Sequence, residues 1–468
     1  MPIFALIYWQ NDLILTRFIV QYGLGGAMAI SYIKRDVDED LSAWKNEKNR
    51  KVLLLRGARQ VGKSSSVRNL ALQFEHFLEI NFERDRVSQD LFNGDLHVQN
   101  ICGNLSALHN IPIIPGRTLV FFDEIQSCPN VISSLRFFYE DYPQLHVIAA
   151  GSLLEFALEA LPSFGVGRIR SVFMYPFSYK EFLQGCGENA LWDMVKEAAP
   201  EKPLLEPFHR KCLEFLRKFL ITGGMPAVVA DYIENGQLYD SQKILDDLIN
   251  TLKTDFSKYK KRLPDLRIAT VFDAVVSQNG NRFNYSKVAS LNIRQVKECM
   301  ELLQKADLVI PVIHSSSNAL PLGGEVNTKK QKFILLDTGM SQRLQGLQLS
   351  DILLGDNISF VDKGAIAEQF VGLELIKSSS CFSQESLYFW SREKPQSNAE
   401  IDYVIQRNTR IIPVEIKSGS SGKMQSMHAF LENKKLEYGI RSSLENFSVY
   451  GRIKVYPLYA IGTVKLKG

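Results

Sequence analysis

Short, wholly apolar runs separated by segments with helical spacing mark the first part of the chain. Residues 52–55 (VLLL) and 119–122 (LVFF) form two such runs, and a third run ends at Ser152 (LHVIAAGS). Runs of this length without alternation are typical of strands that are buried on both faces of a parallel sheet. After the first run, apolar residues recur at helical spacing at Val67, Leu70 and Ala71. The pattern predicts an α/β domain with a parallel sheet over residues 31–190.

Helical spacing dominates the next stretch. The segments FHRKCLEFLRKFLITGG and SQKILDDLINTLKTDFSKYKKR carry apolar residues three and four positions apart, and the first of them ends at a helix-stop signal, Gly223 and Gly224. This pattern predicts a helical lid over residues 191–262. From about residue 266, three short helical patterns are followed by two strand patterns, LVIPVI and KQKFILLDTGM. They predict a further module over residues 263–350.

Two charged strands joined by a turn stand near the C-terminus, in AEIDYVIQRNTRIIPVEIKSG. Alternate residues of a strand share one face, so Glu400 and Asp402 lie on the same face of the first strand. Glu415 and Lys417 share a face of the second strand in the same way. A hairpin through QRNTR would bring Asp402 near both of them. Upstream, KGAIAEQFVGLELIK predicts an amphipathic helix that carries Glu368.

The composition is that of an ordinary globular protein. Of the 468 residues, 45% are hydrophobic and 23% are charged, and the formal net charge is +4. This charge is too small for the length of the chain to argue by itself for nucleic-acid binding. The six cysteines are scattered without a C-x-x-C pair, which argues against a structural zinc site and favours a reducing, cytoplasmic location.

Residues 1–30 are apolar but interrupted, and we expect them to form an N-terminal extension. Gln10, Asn11, Asp12 and Arg17 leave no apolar run of roughly 18 residues, so the sequence predicts no membrane span. The basic residues that begin a signal peptide are absent. Two interpretations stay open: residues 1–27 precede a native start at Met28, or they pack on the body as an apolar element.

The segment after the first apolar run has the spacing of a phosphate-binding loop, G-x-x-x-x-G-K-S. Its glycines let backbone N–H groups curl around phosphate oxygens, and the N-terminus of the following helix adds a partial positive charge. The lysine would reach the β- and γ-phosphates, and the serine hydroxyl would hold Mg²⁺. ATP and Mg²⁺ are therefore the predicted cofactors. The predicted cofactor-binding residues are Gly57, Gln60, Val61, Gly62, Lys63, Ser64 and Ser65.

Polar residues at the ends of the other apolar runs complete the predicted nucleotide site. Asp123 and Glu124 follow the second run, where the end of a buried strand faces the ligand crevice of an α/β sheet. We expect Asp123 to bind Mg²⁺ and Glu124 to polarise the attacking water. Ser152 would contact the γ-phosphate or orient that water. Arg168 would act as an arginine finger on the nucleotide of a neighbouring subunit, with a surface arginine or an ion-pair partner as the alternative.

Five segments, in order along the chain, resemble the prokaryotic AAA-type ATPases that pair a P-loop domain with a C-terminal domain of unknown function. They are LRGARQVGKSSSV, VFFDEIQSCP, AAGSLLEF, GRIRSVFMYPFSYKEFL and LITGGMPAVV. The resemblance runs from about Tyr32 to the end of the chain. It implies a P-loop sheet with an additional strand, in which residues 57–64 are the Walker A site. It also implies that Asp123 and Glu124 form the Walker B site, that Ser152 lies at a sensor position and that Arg168 belongs to the glycine-arginine motif of the family.

The module over residues 263–350 resembles a winged helix-turn-helix, with residues 292–303 in the position of the recognition helix. Arg294 and Lys297 would then contact DNA phosphates. Glu298 and Glu301 on the same segment would repel phosphates, so a module that only packs domains together is the alternative.

Residues 351–468 resemble the PD-(D/E)XK nuclease fold, with Glu368, Asp402, Glu415 and Lys417 on the motif positions. The resemblance implies that the three carboxylates hold a metal ion against a phosphodiester. The lysine would stabilise the developing charge or the attacking hydroxide. An ordinary half-exposed hairpin with a cross-strand ion pair is the alternative. The resemblance carries the fold and does not by itself carry cleavage.

Three functions are compatible with this sequence. The first is an ATP-binding and ATP-hydrolysing AAA-type protein, dependent on Mg²⁺, that couples its nucleotide state to a C-terminal module associated with DNA or with a protein partner. The second is a metal-dependent nuclease regulated by ATP, and the third is a non-catalytic interaction module with an ATP switch. A homo-oligomer is required where Arg168 acts on a neighbouring subunit. The predicted catalytic residues are Glu124, Ser152, Arg168 and Lys417.

Overall fold

The apolar runs of the first part of the chain form a parallel five-stranded sheet in the computed structural model. Its strands are β1 (Val52–Arg56), β2 (His76–Asn81), β3 (Thr118–Asp123), β4 (His146–Ala150) and β5 (Ile169–Phe173). Their order across the sheet is β2-β3-β4-β1-β5, and every neighbouring pair is parallel. All residues of β3 and β4 are buried, which explains why their sequences lack alternation. The predicted parallel sheet is confirmed, and β4 is an additional strand between β1 and β3.

The structure describes residues 32–94, 96–159, 167–256, 265–347, 364–392, 399–417 and 424–466. The predicted N-terminal extension, residues 1–30, lies outside them. The helices and strands of the described residues belong to one compact unit, Lys34–Gly468. None of the described helices combines the length and the apolar character that a membrane span requires.

Helices cover both faces of the five-stranded sheet. Successive residues of β1 point to opposite faces: Leu53 packs in one apolar core with α1 and α2, whereas Leu54 packs in another with α4 and α5. The helices of this part are α1 (Val37–Lys45), α2 (Lys63–Ala71), α3 (Arg86–Asp90), α4 (Val98–His109), α5 (Pro129–Asp141) and α6 (Leu154–Glu159). This two-faced burial is the arrangement expected of a parallel sheet in an α/β domain.

Helices continue after the sheet. They are α7 (Tyr179–Gly185), α8 (Asn189–Glu197), α9 (Glu206–Thr222), α10 (Pro226–Asn235), α11 (Leu238–Asp255), α12 (Asp265–Ser277) and α13 (Ile293–Lys305). Gly223 and Gly224, which follow α9, are required for close packing, and Gly223 is required for the backbone conformation as well. A Cβ on Gly223, whose φ is +70°, would lie 2.1 Å from Oδ1 of Asp337, and a Cβ on Gly224 would lie 2.3 Å from the carbonyl oxygen of Phe177. The two glycines therefore let α9 end in close contact with two other segments.

A second, eight-stranded sheet contains the remaining strands. These are β6 (Val309–Ser315), β7 (Val326–Leu335), β8 (Leu387–Ser391), β9 (Glu400–Arg407), β10 (Arg410–Ile416), β11 (Gly439–Ser443), β12 (Ser448–Tyr450) and β13 (Ile453–Pro457). Their order is β12-β13-β11-β10-β9-β8-β6-β7. The helices of this part are α14 (Thr338–Leu344), α15 (Gly364–Lys377), α16 (Gln425–Asn433) and α17 (Thr463–Leu466).

The β6–β7 hairpin, expected in the winged-helix-like module, joins this sheet through a parallel pairing of β6 with β8. The boundary predicted at residue 350 lies in residues 348–363, outside the described part of the chain. Strands from both sides of that boundary thus share one sheet. The core that packs on α1 and α2 also continues through α11, α12 and α13 to Leu335 of β7.

Candidate nucleotide site and the C-terminal carboxylates

The predicted phosphate-binding loop lies between β1 and α2, and its backbone forms a cradle. Gly57, Gln60 and Gly62 have φ angles of +135°, +66° and +96°. Left-handed residues interspersed in a loop turn neighbouring N–H groups toward one concavity, where an anion binds. Gly57 is also required for packing, because a Cβ there would lie 2.1 Å from the carbonyl oxygen of Met174. The N-terminus of α2 adds positive potential at the end of the loop.

Lys63 folds back onto the loop. Its Nζ donates hydrogen bonds to the carbonyl oxygens of Gly57 and Ala58, both at 2.8 Å. The residue is only 8% exposed. Burial lowers the pKa of Lys63 to about 8, against the opposing attraction of carboxylates that include Glu124 and Asp307. The ammonium is therefore held near the cradle but is readily neutralised.

Ser64 and Asp123 meet at the edge of the cradle. The Oγ of Ser64 donates a hydrogen bond of 2.9 Å to Oδ2 of Asp123. Burial raises the pKa of Asp123, and the hydrogen bond from Ser64 acts in the opposite direction. A hydroxyl and a carboxylate oxygen are the ligands that Mg²⁺ accepts beside substrate phosphates, so these residues fit the ion. Of the other loop residues, Val61 is fully buried and the side chains of Gln60 and Ser65 are exposed.

Glu124 and Ser152 are in direct contact, although they follow different strands. Oε2 of Glu124 accepts hydrogen bonds from Oγ of Ser152 at 3.0 Å and from Nε2 of Gln126 at 2.5 Å. Glu124 has a φ of +52°, which directs the chain sharply away after β3. A Cβ on Gly151 would lie 2.4 Å from Oε1 of Gln126, so the glycine leaves room for this arrangement. The structure thus brings two predicted catalytic residues together beside Asp123.

Arg168 lies away from the nucleotide site of its own chain. It precedes β5, which runs parallel to β1 with Ile169 paired to Val52 and Phe173 paired to Arg56. The phosphate-binding loop follows the other end of β1, roughly 16 Å away at about 3.3 Å per strand residue. Nε of Arg168 bonds Oε1 of Glu140 at 2.7 Å, with both side chains partly exposed. A role on the nucleotide of its own chain is incompatible with this position, and a role on a neighbouring subunit stays a prediction.

The sequence did not single out Arg35, which the structure places against the phosphate-binding loop. Its Nη1 donates to the carbonyl oxygen of Val61 at 3.0 Å, and its Nη2 donates to that of Tyr175 at 2.8 Å. Its Nε bonds Oε1 of Glu181 at 2.9 Å, and the guanidinium lies 4.2 Å from the ring centroid of Phe177. Burial alone would raise the pKa of Glu181, but the Arg35 guanidinium and backbone hydrogen bonds hold it below its usual value. Arg35 therefore ties the loop to α7.

Residues of later helices form ion pairs with the phosphate-binding loop and with the helix that follows Ser152. Arg59, in the loop, bonds both carboxylate oxygens of Asp255 at the end of α11, at 2.7 and 2.6 Å. Lys305, at the end of α13, bonds Glu159 at 2.6 Å, and Glu159 ends the helix that follows the Ser152 loop. By contrast, Arg294 at the start of α13 is 89% exposed and pairs with Glu298 of the same helix. The helix α13, which contains most of the predicted recognition segment, therefore contacts α6 through Lys305 at its C-terminal end.

Glu368, one of the three carboxylates predicted to hold a metal in the C-terminal part, shares a lysine with Glu400, which was not predicted as a ligand. Lys332 of β7 has a side chain that is 2% exposed, and its Nζ bonds Oε1 of Glu368 at 2.8 Å and Oε1 of Glu400 at 2.7 Å. Oε2 of Glu400 accepts a second bond from Arg282 at 2.9 Å. Burial would lower the pKa of Lys332, but Glu368, Glu400 and Asp402 together raise it. We call Glu368, Glu400 and Asp402 the carboxylate cluster.

The remaining motif positions are also engaged. Oδ2 of Asp402 accepts a hydrogen bond from the backbone N–H of Ile416 at 2.7 Å. Nζ of Lys417 bonds Oε1 of Glu415 at 2.7 Å. Within the described residues, no group of three or more His, Cys, Asp or Glu side chains is arranged to hold one metal ion. The metal-binding role of Glu368, Asp402 and Glu415 and the catalytic role of Lys417 stay predictions.

Three family models match parts of the chain. Residues 49–183 match a model described as an AAA domain. Residues 213–351 and 363–461 match two models described as domains of unknown function, DUF8612 and DUF4143. A comparison with curated proteins found no match.

Several solved structures are distantly similar. A Walker-type ATPase of Pyrococcus abyssi is 15% identical, with a TM-score of 0.44 over 67% of this chain and 96% of that chain. The ORC1 protein of Aeropyrum pernix, solved in complex with DNA, is 12% identical, with a TM-score of 0.29 over 69% of this chain and 96% of that chain. A STAND protein with a tetratricopeptide repeat sensor from Pyrococcus horikoshii is 12% identical, with a TM-score of 0.28 over 74% of this chain and 45% of that chain. By the family match, residues 49–183 are similar to an AAA domain.

Proposed function

We propose that this protein binds ATP together with Mg²⁺, hydrolyses it, and passes its nucleotide state to the part of the chain that follows α11. One observation carries the proposal: two pairs of residues, Ser64 with Asp123 and Glu124 with Ser152, meet beside the phosphate cradle in hydrogen bonds of 2.9 and 3.0 Å. Each pair joins residues from different elements, as a site for phosphoryl transfer to water requires.

The residues divide the chemistry among them. The cradle N–H groups and the Lys63 ammonium would bind the phosphates, after Lys63 exchanges its two carbonyl partners for phosphate oxygens. Bound at Ser64 and Asp123, Mg²⁺ would neutralise charge on the β- and γ-phosphates. Glu124 would accept a hydrogen bond from the attacking water in place of the one from Ser152. Ser152 would then be free to donate to the γ-phosphate.

Passing the nucleotide state onward requires contacts that differ between the ATP-bound and nucleotide-free forms. The ion pair Arg59–Asp255 supports this part of the proposal, because it joins the phosphate-binding loop to α11, and the pair Lys305–Glu159 joins α13 to the helix that follows Ser152. ATP phosphates in the cradle would compete with Asp255 for Arg59. We infer that the part of the chain that follows α11 reports this change to a partner, either DNA or a protein.

The test combines two substitutions in the nucleotide site with a matched surface control. We expect Lys63→Ala to abolish tight Mg²⁺–ATP binding in calorimetry. Glu124→Gln should bind ATP with near-normal affinity and hydrolyse it about 10²- to 10⁴-fold more slowly, which is the usual contribution of a general base. Lys48→Ala, at an exposed lysine, should behave as the unsubstituted protein does. Normal ATP affinity in the Lys63→Ala variant would refute the nucleotide site.

A further inference from the structure

A buried lysine bonds Glu368, one of the carboxylates to which the nuclease resemblance assigns a metal ion, and Glu400, to which it assigns none. Lys332 extends from β7, Glu368 from α15 and Glu400 from β9, so the two ion pairs of 2.8 and 2.7 Å join three separate elements. Asp402 lies within electrostatic range of the same ammonium. The ammonium is almost fully shielded from water, and a desolvated charge persists only where oppositely charged groups surround it.

Several oxygens of the carboxylate cluster already have a partner. One oxygen of Glu368 and both oxygens of Glu400 are bonded to Lys332 or Arg282, and one oxygen of Asp402 accepts the N–H of Ile416. Mg²⁺ keeps several waters in its octahedral shell and is usually held by one or two carboxylates, so the positive charge already present in the cluster, and not the number of oxygens, decides whether the ion fits.

Glu415 provides the strongest argument in favour of a metal. Its Oε2 is buried without a hydrogen-bond partner, while its Oε1 is paired with Lys417. A divalent ion at the cluster would, however, face the Lys332 ammonium, which is almost fully shielded from water and already offsets the charge of Glu368 and Glu400. The residues present therefore do not fit the metal.

We infer that the Lys332 ammonium takes the place of the metal cation in the carboxylate cluster, so that this part of the chain is held by an internal cation and does not cleave phosphodiesters. Lys332 then serves as the ionic link between β7, on one side of the undescribed residues 348–363, and α15 and β9 on the other. The C-terminal part would act by binding a partner. The carboxylate cluster would fix the positions of β7, α15 and β9 relative to one another.

The test is a Mn²⁺ titration of the full-length, nucleotide-free protein, followed by the electron paramagnetic resonance signal of free Mn²⁺. We expect the unsubstituted protein and Asp402→Asn to bind the same number of Mn²⁺ ions, because any weak binding at Ser64 and Asp123 is common to both. Lys332→Met should gain one bound Mn²⁺, and Lys332→Met/Glu368→Gln should lose it again. A Mn²⁺ equivalent present in the unsubstituted protein and absent from Asp402→Asn overturns the inference, and so does a folded Lys332→Met protein that gains none.

A second measurement keeps the inference testable where Lys332→Met fails to fold. The unsubstituted protein is incubated with linear DNA, circular DNA and RNA in Mg²⁺ or Mn²⁺, beside Lys417→Ala. We expect no cleavage that differs between the two proteins. Cleavage by the unsubstituted protein that Lys417→Ala loses would show that the site holds a catalytic metal after all. Both measurements leave the proposed ATPase activity untouched, because neither uses nucleotide.

Discussion

Lys63 donates hydrogen bonds to two carbonyl oxygens of the loop that would bind the phosphates, and burial lowers its pKa to about 8. The spacing of the loop predicts this lysine, since G-x-x-x-x-G-K-S is a local pattern. Its pKa depends on enclosure by residues distant in the sequence, among them Asp307. In the folded, nucleotide-free chain, Lys63 therefore loses its proton more easily than its ordinary pKa of 10.5 would allow.

ATP affinity should fall as the pH rises through about 8, because a neutral Lys63 cannot offset phosphate charge. Phosphate favours the protonated lysine, so binding at about pH 8.5 should take up roughly three quarters of a proton. Calorimetry in two buffers of different ionisation enthalpy measures this uptake. Lys63→Arg, which stays charged throughout, is the matched control and should take up none. Uptake by both proteins, or by neither, would contradict the assigned pKa.

The same shift has a consequence for stability. Between about pH 8 and the unfolded value of 10.5, the unfolded chain holds the Lys63 proton and the folded chain does not. Since the unfolded state then binds more protons, the contribution of Lys63 to the free energy of unfolding increases with pH across this window.

At the scale of elements, the segment before α1 and the N-terminus of α7 together support the phosphate-binding loop. Ser178 and Glu181 form a capping box at the start of α7, and the S-x-x-E spacing is a recognised sequence signal for it. The bond from Arg35 to Glu181 joins positions 146 residues apart, and no local signal predicts it. Arg35 connects α7 to the loop through the carbonyl oxygen of Val61.

Arg35→Met should lower the free energy of unfolding by about 3–5 kcal/mol, because it leaves Glu181 buried without its cation. Arg35→Met/Glu181→Gln should recover much of that loss, since glutamine keeps the capping bonds without the charge. Urea unfolding measures both. Arg294→Met is the matched control, because its exposed pair with Glu298 is expected to contribute about 0.5 kcal/mol or less. Equal losses in the Arg35 and Arg294 variants would contradict the role of the buried pair.

At the scale of the whole molecule, α15 contacts both the carboxylate cluster and the first domain. Near its start, Glu368 bonds Lys332. Near its end, Glu374 accepts the N–H of Tyr179 at 3.1 Å, and Lys377 donates to the carbonyl oxygen of Phe177 at 2.8 Å. The ring of Phe177 packs under Arg35. A helix this short is rigid, so a shift at either end would be transmitted along it.

Hydrogen exchange should register ATP binding beyond the phosphate-binding loop. In Glu124→Gln, which retains ATP, we expect increased protection at residues 57–71 and changed protection at the ends of α11 and α13. These ends carry Asp255, which pairs with Arg59 of the loop, and Lys305, which pairs with Glu159 at the end of α6. Lys63→Ala should show neither effect. Asp255→Asn should keep the change at residues 57–71 and reduce the one at α11. A change confined to residues 57–71 in the Glu124→Gln protein would argue against coupling.

The sequence by itself determined the elements of the nucleotide site and their order. Unbroken apolar runs indicate strands that are buried on both faces, and the loop glycines indicate positions where the backbone takes positive φ angles. Each of these signals lies within a few consecutive residues, so the sequence alone shows it. The signal for the C-terminal hairpin is equally local, because alternate residues of a strand share a face and this places Glu415 and Lys417 together.

Only the tertiary structure decided which of these elements meet. The β6–β7 hairpin pairs with β8 because strand pairing is non-local, and hydrophobic periodicity reports burial without naming the neighbour. The same reason applies to single charges. Glu368, one of the two partners of Lys332, lies 36 residues away from it, and Glu181 lies 146 residues away from Arg35. A charged residue carries no local mark of the opposite charge that the fold will bring to it.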